Sequence, residues 1–95
     1  MSGYIFIVWP TDYQKNNECV YKIGSTKDIK LNMETFPKKS VLILNIHVKN
    51  MTCIHKHVSK QFKEDFKERL DVGKDFFEGN VGDMMKAITS YTQTK

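Results

Sequence analysis

Two short apolar runs at the start of the chain predict a pair of β-strands. GYIFIVW, residues 3–9, is rich in aromatic and β-branched residues and is closed by Pro10. CVYKIG, residues 19–24, is the second run, and the polar stretch TDYQKNNE lies between the two. This arrangement predicts an antiparallel hairpin with a long connecting loop, whose register the sequence does not define.

A helical spacing of apolar residues follows the second run. Either Thr26 or Asp28 is a suitable N-cap, and Pro37 marks the end of the segment. The predicted helix carries a buried stripe, made of Ile29, Met33 and Phe36. Asn32 lies about 60° from Ile29 on the helical wheel, at the edge of that stripe, where a local hydrogen bond is its simplest role.

The middle of the chain predicts another strand and then a longer helix. SVLILNIHV, residues 40–48, is almost continuously apolar. Such a run is typical of a strand covered on both faces, so we expect it at the centre of the sheet. The amphipathic segment that follows, residues 52–69, is the clearest helix prediction in the chain.

This second predicted helix has two faces of different chemistry. Its apolar stripe steps by four residues through Ile54, Val58, Phe62 and Phe66. The opposite face carries four lysines, which we interpret as a solvated surface rather than a phosphate-binding one. They are Lys56, Lys60, Lys63 and Lys67. His55 falls beside Phe62 in the apolar stripe, where a hydrogen-bonded histidine is the default interpretation.

The C-terminal part of the chain completes the order of elements. DVGKDFFEG predicts a turn and a short extended run, and NVGDMMKAITSY predicts a last helix capped by Asn80. Residues 92–95 are expected to form a frayed tail. The order β-β-α-β-α-(short β)-α predicts a single α+β domain over residues 1–95, with a small sheet packed by helices.

Composition and charge narrow the range of partners. The net charge of +4 and the pI near 9.1 permit nucleic acid as a partner. No apolar run approaches the roughly 20 residues of a membrane span, and the N-terminus lacks the basic region of a secretory signal. We therefore expect an intracellular protein that is neither secreted nor bound to a membrane. Free thiols are the simpler interpretation of Cys19 and Cys53, and a disulfide between them is the alternative.

Two groups of residues invite a metal hypothesis. Cys53, His55 and His57 alternate in the sequence, and alternate residues on a helix point about 200° apart, so we do not expect them to bind zinc together. Asp75 and Glu78 flank two phenylalanines and are interpreted as polar positions of an edge strand. The alternative is that one of these carboxylates points into a cleft and holds Mg²⁺.

Several motifs in a fixed order resemble the GIY-YIG nuclease superfamily. They are GYIFIV, YKIGST and GKDFFEG, around an apolar third strand and an amphipathic helix. The closer likeness is to the phage and large-DNA-virus branch, in which KIG stands for YIG. The resemblance implies a three-stranded antiparallel sheet flanked by helices and, for a viral protein, the host cytoplasm or nucleus.

The resemblance also implies a chemistry, the cleavage of DNA phosphodiesters. In that family tyrosines lie on the first two strands, an arginine on the first helix, and a glutamate on the second helix holds one divalent cation. A hydroxyl near the attacking water assists proton transfer, while the arginine and the cation stabilise charge on the phosphoryl oxygens. Mg²⁺ or Mn²⁺ is the cofactor expected of an active member.

This chain carries different residues at the family's catalytic positions. The first-strand tyrosine position falls on Phe6, which has no hydroxyl, and Tyr4 replaces it only with a shift of about 6–7 Å along the strand. The second-strand position falls on Lys22, which can bind phosphate or act as a base when desolvated. The arginine position falls on Asn32. The glutamate position falls on or near His55, a poorer Mg²⁺ ligand than a carboxylate.

These substitutions predict a retained scaffold with weakened chemistry. Arg69 is the only arginine and is distant from Asn32 in the sequence, so no guanidinium replaces the missing one. We expect a nucleic-acid-binding domain, for DNA more than RNA, with little or no nuclease activity, in which Gly24 allows a backbone or phosphate to approach closely. The lysines expected to bind the nucleic acid are Lys22, Lys27, Lys30, Lys38 and Lys39.

Two alternative functions remain at this point. One is a working divalent-metal-dependent endonuclease with a rearranged site, in which His55 and Glu78 are the metal ligands and Tyr4 and Lys22 assist. The other is a viral protein-interaction module that uses the same scaffold to engage a host protein. The sequence defines neither the oligomeric state nor the substrate preference.

Overall fold

Nine elements follow one another along residues 1–93, the part of the chain that the computed structural model describes. Strands and helices alternate through most of this length. In order they are β1 (Gly3–Trp9), α1 (Thr11–Gln14), β2 (Val20–Thr26), α2 (Ile29–Met33), β3 (Val41–Val48), α3 (Met51–Asp65), β4 (Lys67–Glu68), β5 (Phe76–Glu78) and α4 (Val81–Gln93).

All five strands belong to one antiparallel sheet in the order β3-β1-β2-β5-β4. The α+β class expected from the sequence is confirmed. The three main strands predicted from the sequence correspond to β1, β2 and β3. β5 corresponds to the predicted short extended run. The two-residue strand β4 pairs with β5 and is an addition to the predicted order. The sheet therefore continues past β2 into a short β5–β4 ribbon.

The third strand lies at an edge of the sheet, and the expectation of a central position was wrong. In the described part of the sheet β3 pairs with β1 alone. Ile43, Leu44 and Ile46 pack partly buried against the core, while Val41 is 42% exposed. The strand is apolar because the core covers several of its side chains in part. Its pattern does not distinguish an edge from a centre, because non-local pairing decides strand order.

Strand pairing sorts the side chains of β1 and β2 onto two faces of the sheet. Ile7 pairs with Ile23 and Ile5 with Ser25, so these four side chains share one face, and Phe6 lies on the other. We call the first of these the helix face, because it packs against α3 and α4, and the second the opposite face. The fully buried side chains that α3 and α4 contribute to this contact are Val58, Phe62, Met84 and Ile88.

Side chains cap three of the helices at their N-termini. Asp28 caps α2, Asn50 caps α3 and Asn80 caps α4, each accepting a hydrogen bond of 3.1 Å from the amide three residues on. Of the two residues proposed as the first cap, the structure therefore selects Asp28. The predicted cap Asn80 is confirmed.

Several predicted boundaries differ from the observed ones. The stretch interpreted as a polar loop contains the single turn α1, and α2 ends at Met33 instead of continuing to Pro37. α3 ends at Asp65 rather than at residue 69, because Phe66 adopts extended backbone angles and the chain turns into β4. Of the predicted tail, residues 92–93 are within α4 and residues 94–95 lie outside the described part.

Two further expectations can be compared with the structure. Among the described helices, none has the length and apolar character needed to cross a membrane. Cys19 and Cys53 are both exposed and free, so the simpler interpretation of the two thiols holds.

Candidate functional site

A cleft opens along one side of α3, from Thr52 to Lys63, against the end of β2 and the segment that precedes β5. Its volume is about 590 Å³. Hydroxyl, imidazole and carboxylate side chains line its wall together with four lysines, Lys56, Lys60, Lys63 and Lys74. We call it the α3 cleft.

Four polar side chains of the α3 cleft form one continuous chain of hydrogen bonds, which we call the polar relay. Ser25 Oγ lies 2.8 Å from Nδ1 of His55. Nε2 of the same ring lies 3.2 Å from Oδ2 of Asp75. The Ser59 hydroxyl donates to the other carboxylate oxygen, Oδ1, at 2.8 Å. The relay therefore runs from β2 through α3 to the residue before β5 and back to α3.

The hydrogen bonds assign the proton positions on the imidazole. A carboxylate only accepts hydrogen bonds, so the His55 nitrogen that faces Asp75, Nε2, carries the proton. In the neutral ring the other nitrogen, Nδ1, is an acceptor, and the Ser25 hydroxyl donates to it. His55 is thus held in the tautomer that accepts a proton from a serine.

Local structure explains why these residues meet. His55 and Ser59 are four residues apart on α3 and therefore share a face of the helix. Asp75 has a left-handed backbone, with φ of 64°, a conformation in which Asp is enriched. Its carbonyl oxygen accepts from the Ile23 amide at 3.0 Å, and its own amide donates to Glu68 at 3.4 Å. These bonds tie the segment before β5 to β2 and β4, so the carboxylate has a defined position.

Asp75 is only 5% exposed, and its hydrogen bonds satisfy its burial. The sequence interpretation of this carboxylate as a solvated edge position was wrong. Both side-chain oxygens accept hydrogen bonds from within the relay, which leaves the carboxylate committed to His55 and Ser59.

The lysines give the α3 cleft a positive character. Three of the four lysines interpreted as a solvated stripe line it, Lys56, Lys60 and Lys63, while Lys67 instead begins β4. Lys74 adds a fourth cation from the segment before β5. Asp75 is the one carboxylate in the described lining, so cations outnumber anions and the cleft attracts anionic ligands.

Lys22 approaches the same segment from the opposite face of the sheet. It pairs with Val8 on β1 and with Phe76 on β5. Its ammonium donates to the Lys74 carbonyl oxygen at 2.7 Å and lies 5.1 Å from the centre of the Phe76 ring. Burial lowers the pKa of this ammonium, against the opposing field of Asp75. Lys22 therefore contacts the backbone beside the relay without joining it.

Phe6 and Gly24 form a packed pair on that opposite face. They are Cα partners in the β1–β2 ladder, and Phe6 is only 3% exposed. A Cβ on Gly24 would lie 2.5 Å from Cζ of Phe6. Phe36 covers the ring from above, with 6.3 Å between ring centroids. The space that Gly24 leaves is filled by an aromatic ring, so the explanation that it admits a phosphate was wrong.

Tyr4 lies in a second, smaller cleft of about 400 Å³ at the start of α2. Lys27, Lys30 and Asn45 also line it. The Tyr4 ring packs edge-on against His47, with 5.2 Å between centroids. We call this the α2 cleft. It unites Tyr4 with two of the five lysines that the sequence proposed for nucleic-acid binding.

The remaining proposed lysines lie elsewhere. Lys38 and Lys39 belong to the loop before β3, where their carbonyl oxygens accept hydrogen bonds from Thr11 and Gln14 of α1. α1 follows the C-terminal end of β1, whereas Tyr4 and the α2 cleft lie near its N-terminal end, about 20 Å away along the strand. The five lysines therefore do not surround one cleft.

Asn32 is half-buried on α2, and its side chain has an unusual feature. Its Nδ2 is buried and has no hydrogen-bond partner within the described part of the chain. The local hydrogen bond expected of this amide is therefore absent from that side-chain nitrogen. Its backbone carbonyl does bond locally, accepting from the Thr35 hydroxyl at 2.7 Å.

The two residues proposed as metal ligands are not brought together. Glu78 accepts from Arg69 at 2.9 Å, and Arg69 also forms a two-pronged contact with Asp71. That pairing lowers the pKa of the Asp71 carboxyl and raises that of the guanidinium. The sole arginine is thus engaged by two carboxylates, and Glu78 is absent from the lining of the α3 cleft.

The donor set of the α3 cleft does not fit Mg²⁺ or Mn²⁺. These ions prefer carboxylate and water oxygens, and the cleft offers one carboxylate whose oxygens are both engaged. Four lysines around it repel a divalent cation. Throughout residues 1–93, no three His, Cys, Asp or Glu side chains are grouped as metal ligands.

The alternating Cys53, His55 and His57 point in different directions. Cys53 and His57 are neighbours on one side of α3, with 3.6 Å between Sγ and Nδ1. His57 also stacks on Tyr91, with 6.2 Å between centroids. His55 turns the other way, into the polar relay.

The sequence identified His55 and missed two of the other three residues of the polar relay. Ser59 has a sequence signal, because it lies one helical turn after His55. Ser25 follows Gly24 directly and carries no signal beyond the YKIGST motif. Asp75 was noticed only as one of two carboxylates near β5. Its contact with His55 depends on a long-range fold of the chain, which no spacing rule predicts.

An antiparallel sheet with flanking helices that presents a lysine-lined polar cleft defines a small α+β domain suited to anionic ligands. The chain belongs to the T5orf172 domain family, which it matches over residues 3–91. This membership supports a nuclease-like domain that interacts with nucleic acid. The comparison with curated proteins gave no match, and neither did the comparison with solved structures.

Proposed function

We propose that this protein binds the phosphodiester backbone of nucleic acid, DNA in preference to RNA, in the α3 cleft. The observation that carries the proposal is the concentration of Lys56, Lys60, Lys63 and Lys74 around one cleft of about 590 Å³. Lysines neutralise phosphates as point charges and release condensed counterions when they do so. Membership of a nuclease-like family supports nucleic acid as the anionic ligand.

We further propose that the protein is a GIY-YIG-like domain of the KIG-containing branch whose metal-dependent chemistry is lost. Three catalytic positions of that family carry residues that cannot perform the original roles. Phe6 is buried and lacks a hydroxyl, Asn32 carries no charge, and His55 is committed to Ser25 and Asp75. The poor fit of a divalent cation to the α3 cleft supports the same conclusion.

Binding is tested by fluorescence anisotropy with a labelled DNA duplex at low salt in EDTA. We expect saturable binding that does not need a divalent metal. The double variant Lys60→Ala/Lys63→Ala should bind about tenfold or more weakly, since each phosphate contact contributes to affinity. The matched control is Lys49→Ala/Lys86→Ala, which removes the same charge from exposed positions outside the cleft lining.

Equal losses for the two double variants would show that general charge, not the α3 cleft, attracts the DNA. The variant Lys27→Ala/Lys30→Ala tests the α2 cleft in the same assay, and we expect the smaller loss there. RNA of the same sequence serves as a competitor, and a stronger competition by RNA than by DNA would reverse the stated preference.

The lost chemistry is tested with supercoiled plasmid. We expect Mg²⁺ and Mn²⁺ to leave any nicking unchanged relative to EDTA. Nicking that either metal stimulates, and that His55→Ala abolishes, would instead establish the metal-dependent endonuclease with His55 in its site.

A further inference from the structure

We propose that Ser25 is the nucleophile of a metal-independent phosphoryl transfer, with His55 as its general base and Asp75 as the positioning residue. The inference rests on the proposed function, because it takes a phosphodiester held in the α3 cleft as the substrate. It adds an activity to a site that would otherwise only bind.

The geometry is that of an activated serine. The 2.8 Å contact between Ser25 Oγ and His55 Nδ1 is within the range for transfer of the hydroxyl proton to the ring. The 3.2 Å contact between Nε2 and Asp75 fixes the tautomer and stabilises the imidazolium that forms. The ring nitrogens are used in the reverse order from the serine-protease triad, in which Nε2 faces the serine.

The relay is supported on its far side and open on its near side. Asp75 is held by Ser59 at 2.8 Å, and its side chain is 7% exposed. The His55 side chain is 27% exposed, and Ser25 and His55 both line the α3 cleft. Asp75 is thus buried and held in place, whereas Ser25 and His55 can reach a ligand in the cleft.

The lysines select a phosphoryl group over an acyl group. A phosphodiester carries a negative charge before it reacts and gains more charge on its oxygens in the transition state. The four lysines of the cleft stabilise that charge in the place where a metal ion would otherwise do so. A neutral ester gains less from such a field, so the anionic substrate is preferred.

The step conserves atoms and charge. Ser25 Oγ attacks phosphorus, its proton passes to His55 Nδ1, and the bond from phosphorus to the leaving oxygen breaks. The leaving oxygen takes that proton from the imidazolium. The products of this step are a phosphodiester of Ser25 and a nucleic-acid end with a free hydroxyl. Water then attacks phosphorus with His55 as base, and Ser25 departs and recovers its proton. No oxidant, reductant or metal is required.

The nucleophile is tested with a fluorophosphonate probe in EDTA. The probe forms a bond from phosphorus to an activated serine and releases fluoride. We expect peptide mass spectrometry to find the adduct on Ser25. Ser25→Ala should remove it and His55→Ala should slow it by about 10²-fold or more, the usual contribution of a general base. The control Ser2→Ala, at an exposed serine outside the relay, should label like the unmodified protein.

The positioning role of Asp75 has its own readout. Asp75→Asn keeps the shape of the side chain but removes the negative charge that stabilises the imidazolium, and it replaces one acceptor oxygen by an NH2 donor. We expect the maximal labelling rate to fall while the probe concentration at half-maximal rate is unchanged. Asp75→Glu, which keeps the carboxylate, should recover part of the rate. A parallel fall in labelling and in melting temperature for both variants would show that Asp75 is only structural.

The substrate class is tested by nitrophenolate release in EDTA from bis(4-nitrophenyl) phosphate and from 4-nitrophenyl acetate. A burst with the phosphodiester that Ser25→Ala removes supports the proposal. A burst with the acetate alone would assign an acyl transferase and overturn it, as would absence of any adduct on Ser25. DNA binding by the unmodified protein and by Ser25→Ala is measured separately. If the unmodified protein binds DNA but is not labelled on Ser25, this inference is overturned and the proposed function is left intact.

Discussion

Phe6 and Gly24 show how a single missing Cβ determines the packing of the opposite face. The glycine has ordinary extended backbone, so its role is steric: the Phe6 ring occupies the space where a side chain would stand. Because Phe6 is 3% exposed and Phe36 closes over it, the ring has little room to move. The position that the resemblance assigned to a catalytic tyrosine is therefore part of the core.

Replacing Gly24 by alanine should destabilise the fold by about 1–3 kcal/mol, the usual cost of overpacking a core. The reason is the 2.5 Å approach of the new Cβ to Cζ of Phe6. Urea denaturation measures the change. In a Phe6→Leu background the same substitution should cost much less, because the shorter side chain vacates the space. Equal costs in the two backgrounds would disprove the steric explanation.

The half-buried Lys22 should make stability depend on pH in the alkaline range. Burial, the larger effect, lowers the pKa of its ammonium below the ordinary 10.5, while Asp75 opposes the shift. Between the lowered pKa and 10.5 the folded protein has released the proton and the unfolded chain has not. Unfolding then takes up a proton, so this lysine's contribution to stability rises with pH across that window.

The comparison with Lys22→Met isolates this contribution. At neutral pH the methionine variant should be at least as stable as the unmodified protein, because it has no charge to bury. The unmodified protein should gain relative to the variant between about pH 7 and about pH 10 in urea titrations. A difference in stability that does not change with pH, or a loss of stability by the unmodified protein relative to the variant as the pH rises, would contradict the lowered pKa.

At the scale of single residues, the sequence predicted which polar side chains are important better than it predicted what they contact. Lys22 and His55 were correctly singled out as polar side chains in otherwise apolar elements. What each of them contacts depends on the segment before β5, which returns to the end of β2 from more than fifty residues further along the chain. Local patterns contain no information about such closure, so the Ser25–His55–Asp75 contacts were not predictable.

At the scale of elements, α3 joins the core to the site. One face buries Val58 and Phe62, and the lysines project from the other side. His55 and Ser59 lie at the boundary between the two and enter the relay. The amphipathic pattern predicted this helix well. It misjudged the lysine side as plain solvent, because a helical wheel does not show that β2 and the segment before β5 stand beside it.

The cap of α3 should be measurable in stability. Asn50 accepts from the Cys53 amide at 3.1 Å, so Asn50→Ala removes that bond and should cost about 1 kcal/mol. Asn50→Asp keeps an acceptor in the same place and should cost little. Thermal denaturation of the two variants checks the expectation, and equal losses would assign the effect to something other than the cap.

The strands also show where pattern and topology separate. β1 and β2 were predicted with nearly their observed bounds, since aromatic and β-branched runs are strong local signals. β3 was predicted as a strand but was expected at the centre of the sheet, whereas it lies at an edge. The two-residue β4 escaped prediction, because so short a strand exists only through its pairing with β5.

At the scale of the whole molecule, the net charge of +4 is modest but unevenly used. Four lysines line the α3 cleft and two more line the α2 cleft, on different parts of the surface. Arg69 contributes no free cation, because Asp71 and Glu78 both pair with it. Six of the fourteen lysines in the sequence are therefore grouped in two separate clefts rather than on one basic face.

This distribution makes a quantitative prediction about salt. Each phosphate neutralised by a lysine contributes about 0.9 to the slope of log K against log salt concentration on duplex DNA. If the α3 cleft holds the DNA backbone, Lys60→Ala/Lys63→Ala should flatten that slope by roughly 1.8, because two such contacts are lost.

The control Lys49→Ala/Lys86→Ala should weaken binding slightly, because it lowers the net charge. It should leave the slope almost unchanged, since screening acts on distant charges without release of a bound counterion. Anisotropy titrations over a series of salt concentrations, all in EDTA, give both quantities. A flattened slope for the Lys27→Ala/Lys30→Ala variant alone would move the DNA to the α2 cleft and leave the polar relay without its proposed substrate.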